Sequence, residues 1–148
     1  MMPRPLIAVV TIVCILFSVQ AAAATMVSVA SGKVNMRKGP GTRSQVAWQL
    51  GKGFPLLVLS RKGNWFKVRD FENDVGWVFA PLTNRRPHLI VKEKIVNIRS
   101  GPGEKYKIIG KARYGTVFRT VKRGKGWVKV KHEDGLTGWV SRKLMWGW

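Results

Sequence analysis

Apolar and polar positions alternate along this chain in short runs. In Trp127-Val128-Lys129-Val130-Lys131 a strand places Val128 and Val130 on one side and Trp127, Lys129 and Lys131 on the other. Trp65 to Arg69 has the same design, with Phe66 and Val68 inward and Trp65, Lys67 and Arg69 outward. Phe54–Leu59 and Val117–Val121 are further strand-like runs. Turn signals punctuate them: Gly39-Pro40-Gly41, Gly51-Lys52-Gly53, Lys62-Gly63-Asn64 and Asn73-Asp74, then Gly101-Pro102-Gly103, Gly115, Gly124-Lys125-Gly126 and Asp134-Gly135. No run has the length or the 3.6-residue period of a substantial helix. The pattern predicts an all-β protein of short strands and tight turns.

The pattern also occurs twice. Val34-Asn35-Met36-Arg37-Lys38-Gly39-Pro40-Gly41 returns as Val96-Asn97-Ile98-Arg99-Ser100-Gly101-Pro102-Gly103, Trp65 as Trp127, and Gly76-Trp77-Val78 as Gly138-Trp139-Val140, always 62 positions on. That period exceeds solenoid units and matches the smallest domains that fold alone. Two modules follow, 26–82 and 95–148, with 83–94 as a linker that Pro87 keeps locally extended. About five strands per module would leave sheet edges and one face bare, so each is expected to close into a small β-barrel.

The first 24 residues read differently. Arg4 precedes an apolar run, Leu6–Val19, and Ala21 to Ala24 supplies the small residues of a cleavage site, the design of a secretory signal. The alternative is a retained anchor, but about 14 apolar residues fall short of the roughly 20 that span a bilayer. The one cysteine, Cys14, lies in this segment, so the processed chain would have neither disulfide, thiol catalysis nor a cysteine metal site. A periplasmic or secreted place in a bacterial envelope is expected.

Charge narrows the partners. Lys and Arg number 27 against 7 Asp and Glu, a formal net charge of +20. Residues 27–82 hold 9 basic and 3 acidic side chains and residues 95–148 hold 13 and 3, so the second module is the more basic. Such a balance suits anionic wall polymers, lipid headgroups or nucleic acid, and export makes nucleic acid the least apt of the three.

The order Asn-[Met/Ile]-Arg-x-Gly-Pro-Gly, a glycine before the central strand, Trp-x-Lys-Val, and Gly-Trp-Val with a leucine four residues later resembles the bacterial SH3 domain. The resemblance covers nearly all of 34–82 and 96–144. It implies two tandem SH3-like barrels that bind without catalysing, with peptidoglycan or its peptide stems as the family's frequent ligand and a separate cell-wall hydrolase as a frequent neighbour. No hydrolase motif occurs in this sequence, so such an enzyme is expected as a partner. An alternative is an adaptor that docks an extended segment of an envelope protein.

The residues themselves offer little catalytic chemistry. His88 and His132 lack the neighbours of a metal or nucleophile site. Asp70, Glu72 and Asp74 read as solvated turn residues in preference to a glycosidase pair. The Gly-Pro-Gly turns lack the Lys-Ser/Thr and the helix of a phosphate loop; proline is expected to fix one turn residue and glycine to take positive φ, with Arg37 and Arg99 bracing the loops. No cofactor or metal is implied.

Candidate ligand residues are Trp65, Lys67, Arg69, Trp127, Lys129 and Lys131 on the outward faces, with Trp48 and Tyr106 on the segment after each Gly-Pro-Gly turn. Trp65 and Trp127 can equally half-bury at a barrel rim, and Trp48 can cover the barrel end. Trp77 and Trp139 are expected to close the barrel floor, alongside the structural Gly39, Pro40, Gly41, Gly101, Pro102 and Gly103. Tyr114, Trp146 and Trp148 lack aromatic counterparts and mark where the modules could differ, with Trp146-Gly147-Trp148 as a lid over the second module.

Overall fold

The computed structural model describes residues 23–148, so the expected signal segment lies outside the described residues except for its last two, and Cys14 lies outside them altogether. The first module contains β1 (Thr25–Val29), β2 (Val34–Arg37), β3 (Val46–Leu50), β4 (Pro55–Lys62), β5 (Trp65–Arg69), β6 (Val75–Phe79) and β7 (Thr83–Asn84). The second contains β8 (His88–Val91), β9 (Ile95–Arg99), β10 (Ile108–Arg113), β11 (Val117–Arg123), β12 (Trp127–Lys131), β13 (Thr137–Ser141) and β14 (Met145–Gly147). One 3-10 turn precedes β7 and another precedes β14. Among the described residues no helix is long and apolar enough to cross a membrane.

Each module is one antiparallel sheet of seven strands, in the order β3-β2-β6-β5-β4-β1-β7 and its copy β10-β9-β13-β12-β11-β8-β14. Seven replaces the expected five; one of the two extra strands in each module is β7 or β14, whose two and three residues leave no alternating pattern to read. The inward positions form one core per module. Val27, Val29, Val34, Met36, Leu50, Leu56, Val68 and Val78 fill the first, with Phe66 packed at its side. Leu89, Val91, Val96, Ile98, Ala112, Phe118, Val128, Val130, Val140 and Met145 fill the second.

Short strands enclose a core only if the sheet bends, and both modules bend it at the same places. The register shifts between Val58 and Ser60 in β4 and between Thr120 and Lys122 in β11, leaving Leu59 and Val121 as bulged residues. A second pair of shifts strands Ala47 in β3 and Ile109 in β10. A bulge adds twist and turns its extra side chain away from the ladder. This accounts for Leu59, Val121 and Ile109 being exposed although strongly apolar.

Residues 83–94 do more than link. Thr83 and Asn84 pair with β1, and His88–Val91 forms β8, so only Arg85–Pro87 lies between the sheets. The two modules then pack together, with β4 running beside β8 and β14. Ser28 and Ile90 occupy equivalent positions on the outer side of β1 and β8, and both are completely buried. Ser28 donates its hydroxyl to the Arg86 carbonyl at 3.0 Å and lies 3.1 Å from His88 Nδ1. His88 Nδ1 is 2.9 Å from the Arg86 carbonyl, which makes Nδ1 the protonated nitrogen of the ring. The imidazole rests on Gly53, where φ is +80° and a Cβ would come within 2.7 Å of the ring. Phe54, Phe71 and Tyr114 continue the contact, with ring centroids 5.9 and 5.3 Å apart. Tyr114 is thus committed to the join between modules, and β14 makes Trp146 part of a sheet edge paired to Ile90 where a lid over the second module was expected.

Two outcomes follow. Gly138→Ala would place a Cβ 2.9 Å from the Arg99 carbonyl oxygen and 2.6 Å from Ile98 Cγ2, and is expected to cost about 1–3 kcal/mol in urea unfolding. Burial holds the His88 pKa below its ordinary 6.5, and repulsion from Arg119, Arg86 and Lys52 adds to this although the Arg86 carbonyl opposes it. A depressed folded pKa means that the folded state takes up its proton later than the unfolded chain, so stability holds above about pH 6.5 and falls as pH drops through the folded value. Urea midpoints between pH 8 and pH 5 are expected to show this loss, and His88→Asn to flatten it.

Candidate functional site

With Gly76 and Val78 buried, alternation turns Trp77 outward, and with Gly138 and Val140 buried it does the same for Trp139. Neither closes a barrel floor. Both are half-buried on the outer face, where pairing sets them in a cross-strand row. Arg37 lies opposite Trp77 and Trp77 opposite Lys67. In the second module Arg99 lies opposite Trp139 and Trp139 opposite Lys129. Two residue pairs along, on the same face, Trp65 lies opposite Phe79 with ring centroids 5.4 Å apart. Trp127 lies opposite Ser141. Each module therefore carries a strip of indole flanked by an arginine and a lysine, and the first adds the Trp65–Phe79 aromatic pair.

The arginine joins this strip to the loop above it. Arg37 Nη1 donates to the carbonyls of Thr42 at 3.0 Å and Ser44 at 2.9 Å, and Arg99 Nη1 donates to those of Glu104 and Tyr106, both at 2.9 Å. Lys38 and Ser100 close the loop bases through their amides to the carbonyls of Gln45 and Lys107. The turn glycines do not take positive φ, contrary to expectation. Close approach favours glycine instead at the first position of each turn: a Cβ at Gly39 would lie 2.7 Å from Ser44 Oγ, and one at Gly101 would run into the Tyr106 ring. Tyr106 is therefore folded over its own loop, 37% exposed, with Lys105 Nζ 5.5 Å from its ring centroid.

The remaining candidates are dispersed. Trp48 is 54% exposed on edge strand β3, opposite Met36, and stands apart from the Trp77 strip. Its equivalent is Gly110, where a Cβ would lie 2.9 Å from Leu136, the residue equivalent to Asp74. A large side chain on β3 in one module thus answers one on the hairpin loop in the other. Arg69 ends β5 with a buried Nε that has no partner, and Lys131 ends β12 facing a different neighbourhood, the cleft between the modules.

The acidic loop after β5 is structural in geometry. Asp70 is 6% exposed and its Oδ1 accepts the amides of Glu72 and Asp74, each at 2.9 Å. Burial raises its pKa, partly offset by those amides and reinforced by Asp74 and Glu72. His132 stands in its place in the second module, 2.9 Å from Asp134. Among the described residues no group of three His, Cys, Asp or Glu side chains is placed to hold a metal.

Trp77 and Trp139 are the candidate site residues that sequence reading assigned elsewhere. The signal was available: each sits between an inward glycine and an inward valine, and alternation alone turns it out. The pull of tryptophan toward cores overrode it.

The family model described as "Bacterial SH3 domain" matches residues 30–84 and 92–147. A Bacillus subtilis (strain 168) protein named "Putative N-acetylmuramoyl-L-alanine amidase YrvJ" is 29% identical over 156 residues, which cover 92% of this chain and 30% of that protein. The chain thus spans less than a third of that relative. Among solved structures, a Bacillus cereus NlpC/P60 family protein is matched over 84% of this chain and 56% of its own, at 14% identity and a TM-score of 0.39. NlpC2 from Trichomonas vaginalis is matched over 83% and 48%, at 13% identity and a TM-score of 0.38.

The arginine brace has a direct test. Arg99→Ala is expected to cost about 1–2 kcal/mol, because two charge-assisted hydrogen bonds are lost in a partly solvated loop. Amide exchange should quicken across residues 100–107. Arg99→Lys should not restore protection, since one ammonium cannot reproduce the guanidinium geometry.

Proposed function

The chain belongs to the bacterial SH3 domain family, two copies in tandem, and from that premise we propose that it is an exported, non-catalytic module that recognises peptidoglycan or its peptide stems. The observation that carries this reading is the strip Arg37–Trp77–Lys67 and its copy Arg99–Trp139–Lys129. An indole face offers an apolar platform for a sugar ring or an extended peptide, and an adjacent lysine pairs with a stem carboxylate. Trp65 with Phe79 and Trp127 extend the platform. The name of the Bacillus subtilis relative fits a wall setting. On this reading the chain supplies attachment while hydrolysis belongs to a separate enzyme.

Lysine–carboxylate pairs at a solvated surface are individually weak, about 0–1 kcal/mol. Two strips on packed modules can engage one polymer together, and the second contact is then intramolecular. A second reading is favoured by the edge strands: β3 and β10 are unpaired on their outer sides and expose Val46, Ile108 and Ile109, which suits strand addition by a partner's extended segment.

Cosedimentation of residues 23–148, which contain every strand of both sheets, with purified protein-free peptidoglycan tests the first reading. Retention at about 0.15 M salt is expected, where exposed charges are screened beyond about 8 Å. Trp77→Ala with Trp139→Ala should lower affinity at least about tenfold. Binding that vanishes at modest salt, or that ignores both tryptophans, would sink the proposal and favour the protein partner.

A further inference from the structure

The two modules enclose a cleft of about 550 Å³ whose lining includes Lys52, Arg86, His88, Arg119, Lys131 and Glu133. Three of these form one cross-strand row on the second sheet: His88 lies opposite Arg119, and Arg119 opposite Lys131. Like charges directly opposite on neighbouring strands are destabilising. The fold does not require them, because the equivalent row in the first module is Met26–Leu57–Arg69. Lys52 and Arg86 reach the same space from the turn before β4 and from the connection between modules. Lys52, Arg86 and Arg119 all lie close enough to His88 to repel its proton. Among the described residues none of the four cations has a carboxylate within 4 Å; the ion pair present, His132 with Asp134, involves none of them.

We propose that this cleft binds a phosphate group, held by Arg119 and Lys131 from the second module with Lys52 and Arg86 facing them. Four cations against Glu133 leave an excess that one carboxylate would not balance and a phosphate dianion largely would. Guanidinium forks match phosphate oxygens in paired hydrogen bonds, and a lysine adds charge without directional demand. The bound anion would relieve the repulsion between Arg119 and Lys131, so binding and folding of the join support each other. The site is separate from the tryptophan strips and does not depend on the wall reading, whose own test leaves it untouched.

The experiment is an NMR titration of isotope-labelled residues 23–148 with inorganic phosphate at constant ionic strength, with acetate as the control anion. Saturable shifts are expected at Gly53, His88, Thr116 and Arg119, and none of that pattern with acetate. Arg119→Leu, which supplies the side chain found at Leu57 in the first module, should stay folded and lower affinity at least about tenfold. Lys131→Gln gives the same reading should the first variant unfold. Lys33→Ala removes an equal charge elsewhere and should change affinity less than about twofold. Poly(glycerol phosphate) and phosphatidylglycerol vesicles, used as further probes, separate a polymer from a lipid surface as the source of the group. Absence of saturation at tens of millimolar phosphate, equal shifts with acetate, or an equal loss with Lys33→Ala would overturn the proposal.

Discussion

The contact on which both barrels depend is the closure of β6 on β2, and its copy, β13 on β9. Each is a single pairing, Arg37 with Trp77 and Arg99 with Trp139. It is possible because the residue before each tryptophan is glycine: a Cβ at Gly76 or Gly138 would meet the carbonyl oxygen of Arg37 or Arg99 at 2.9 Å. Close backbone approach at that point bends the sheet around its core, and the next residue, turned outward by the pleat, becomes the centre of the strip. Core closure and the candidate surface are thus two faces of one local geometry, which explains why Gly-Trp-Val recurs without a gap.

The arginine ties the second layer to the first. Its backbone pairs with that of the tryptophan while its Nη1 holds two loop carbonyls. The loop over the strip is therefore set by the same residue that borders it. On the proposed reading, a ligand at the indole would meet a preorganised edge, which would lower the ordering cost of binding. The second consequence is asymmetry. Where the modules differ, at Met26 against His88, Leu57 against Arg119 and Lys52 against Tyr114, the differences gather at the join. The repeated residues make two similar outer strips, and several of the unrepeated ones line the cleft between the modules.

Much of this was legible in the chain. The 62-residue repeat, the period-2 alternation of β5 and β12 and the turn chemistry gave two all-β modules and the inward positions Val68, Val128 and Val130, because those signals are local and each residue's face follows from its neighbours. Trp65, Lys67, Trp127 and Lys129 were read on the correct face for the same reason. Trp77 and Trp139 were read by residue type, and alternation outranked type. The Gly-Pro-Gly turns were placed correctly but for a different cause: close packing by Ser44 and Tyr106 favours glycine at the first position, Gly39 and Gly101, and φ does not.

What the sequence determined by itself was therefore the fold of one module and its duplication, since strand faces, turns and closure depend on residues near one another in the chain or in a repeated register. Only the tertiary structure decided the rest. Burial of Ser28 and Ile90, the Phe54–Phe71–Tyr114 contact and the gathering of Lys52, Arg86, Arg119 and Lys131 in one cleft all join residues from different modules. No period or spacing encodes such contacts, because they depend on how two finished barrels pack, and that is set by shape and charge distributed over both surfaces.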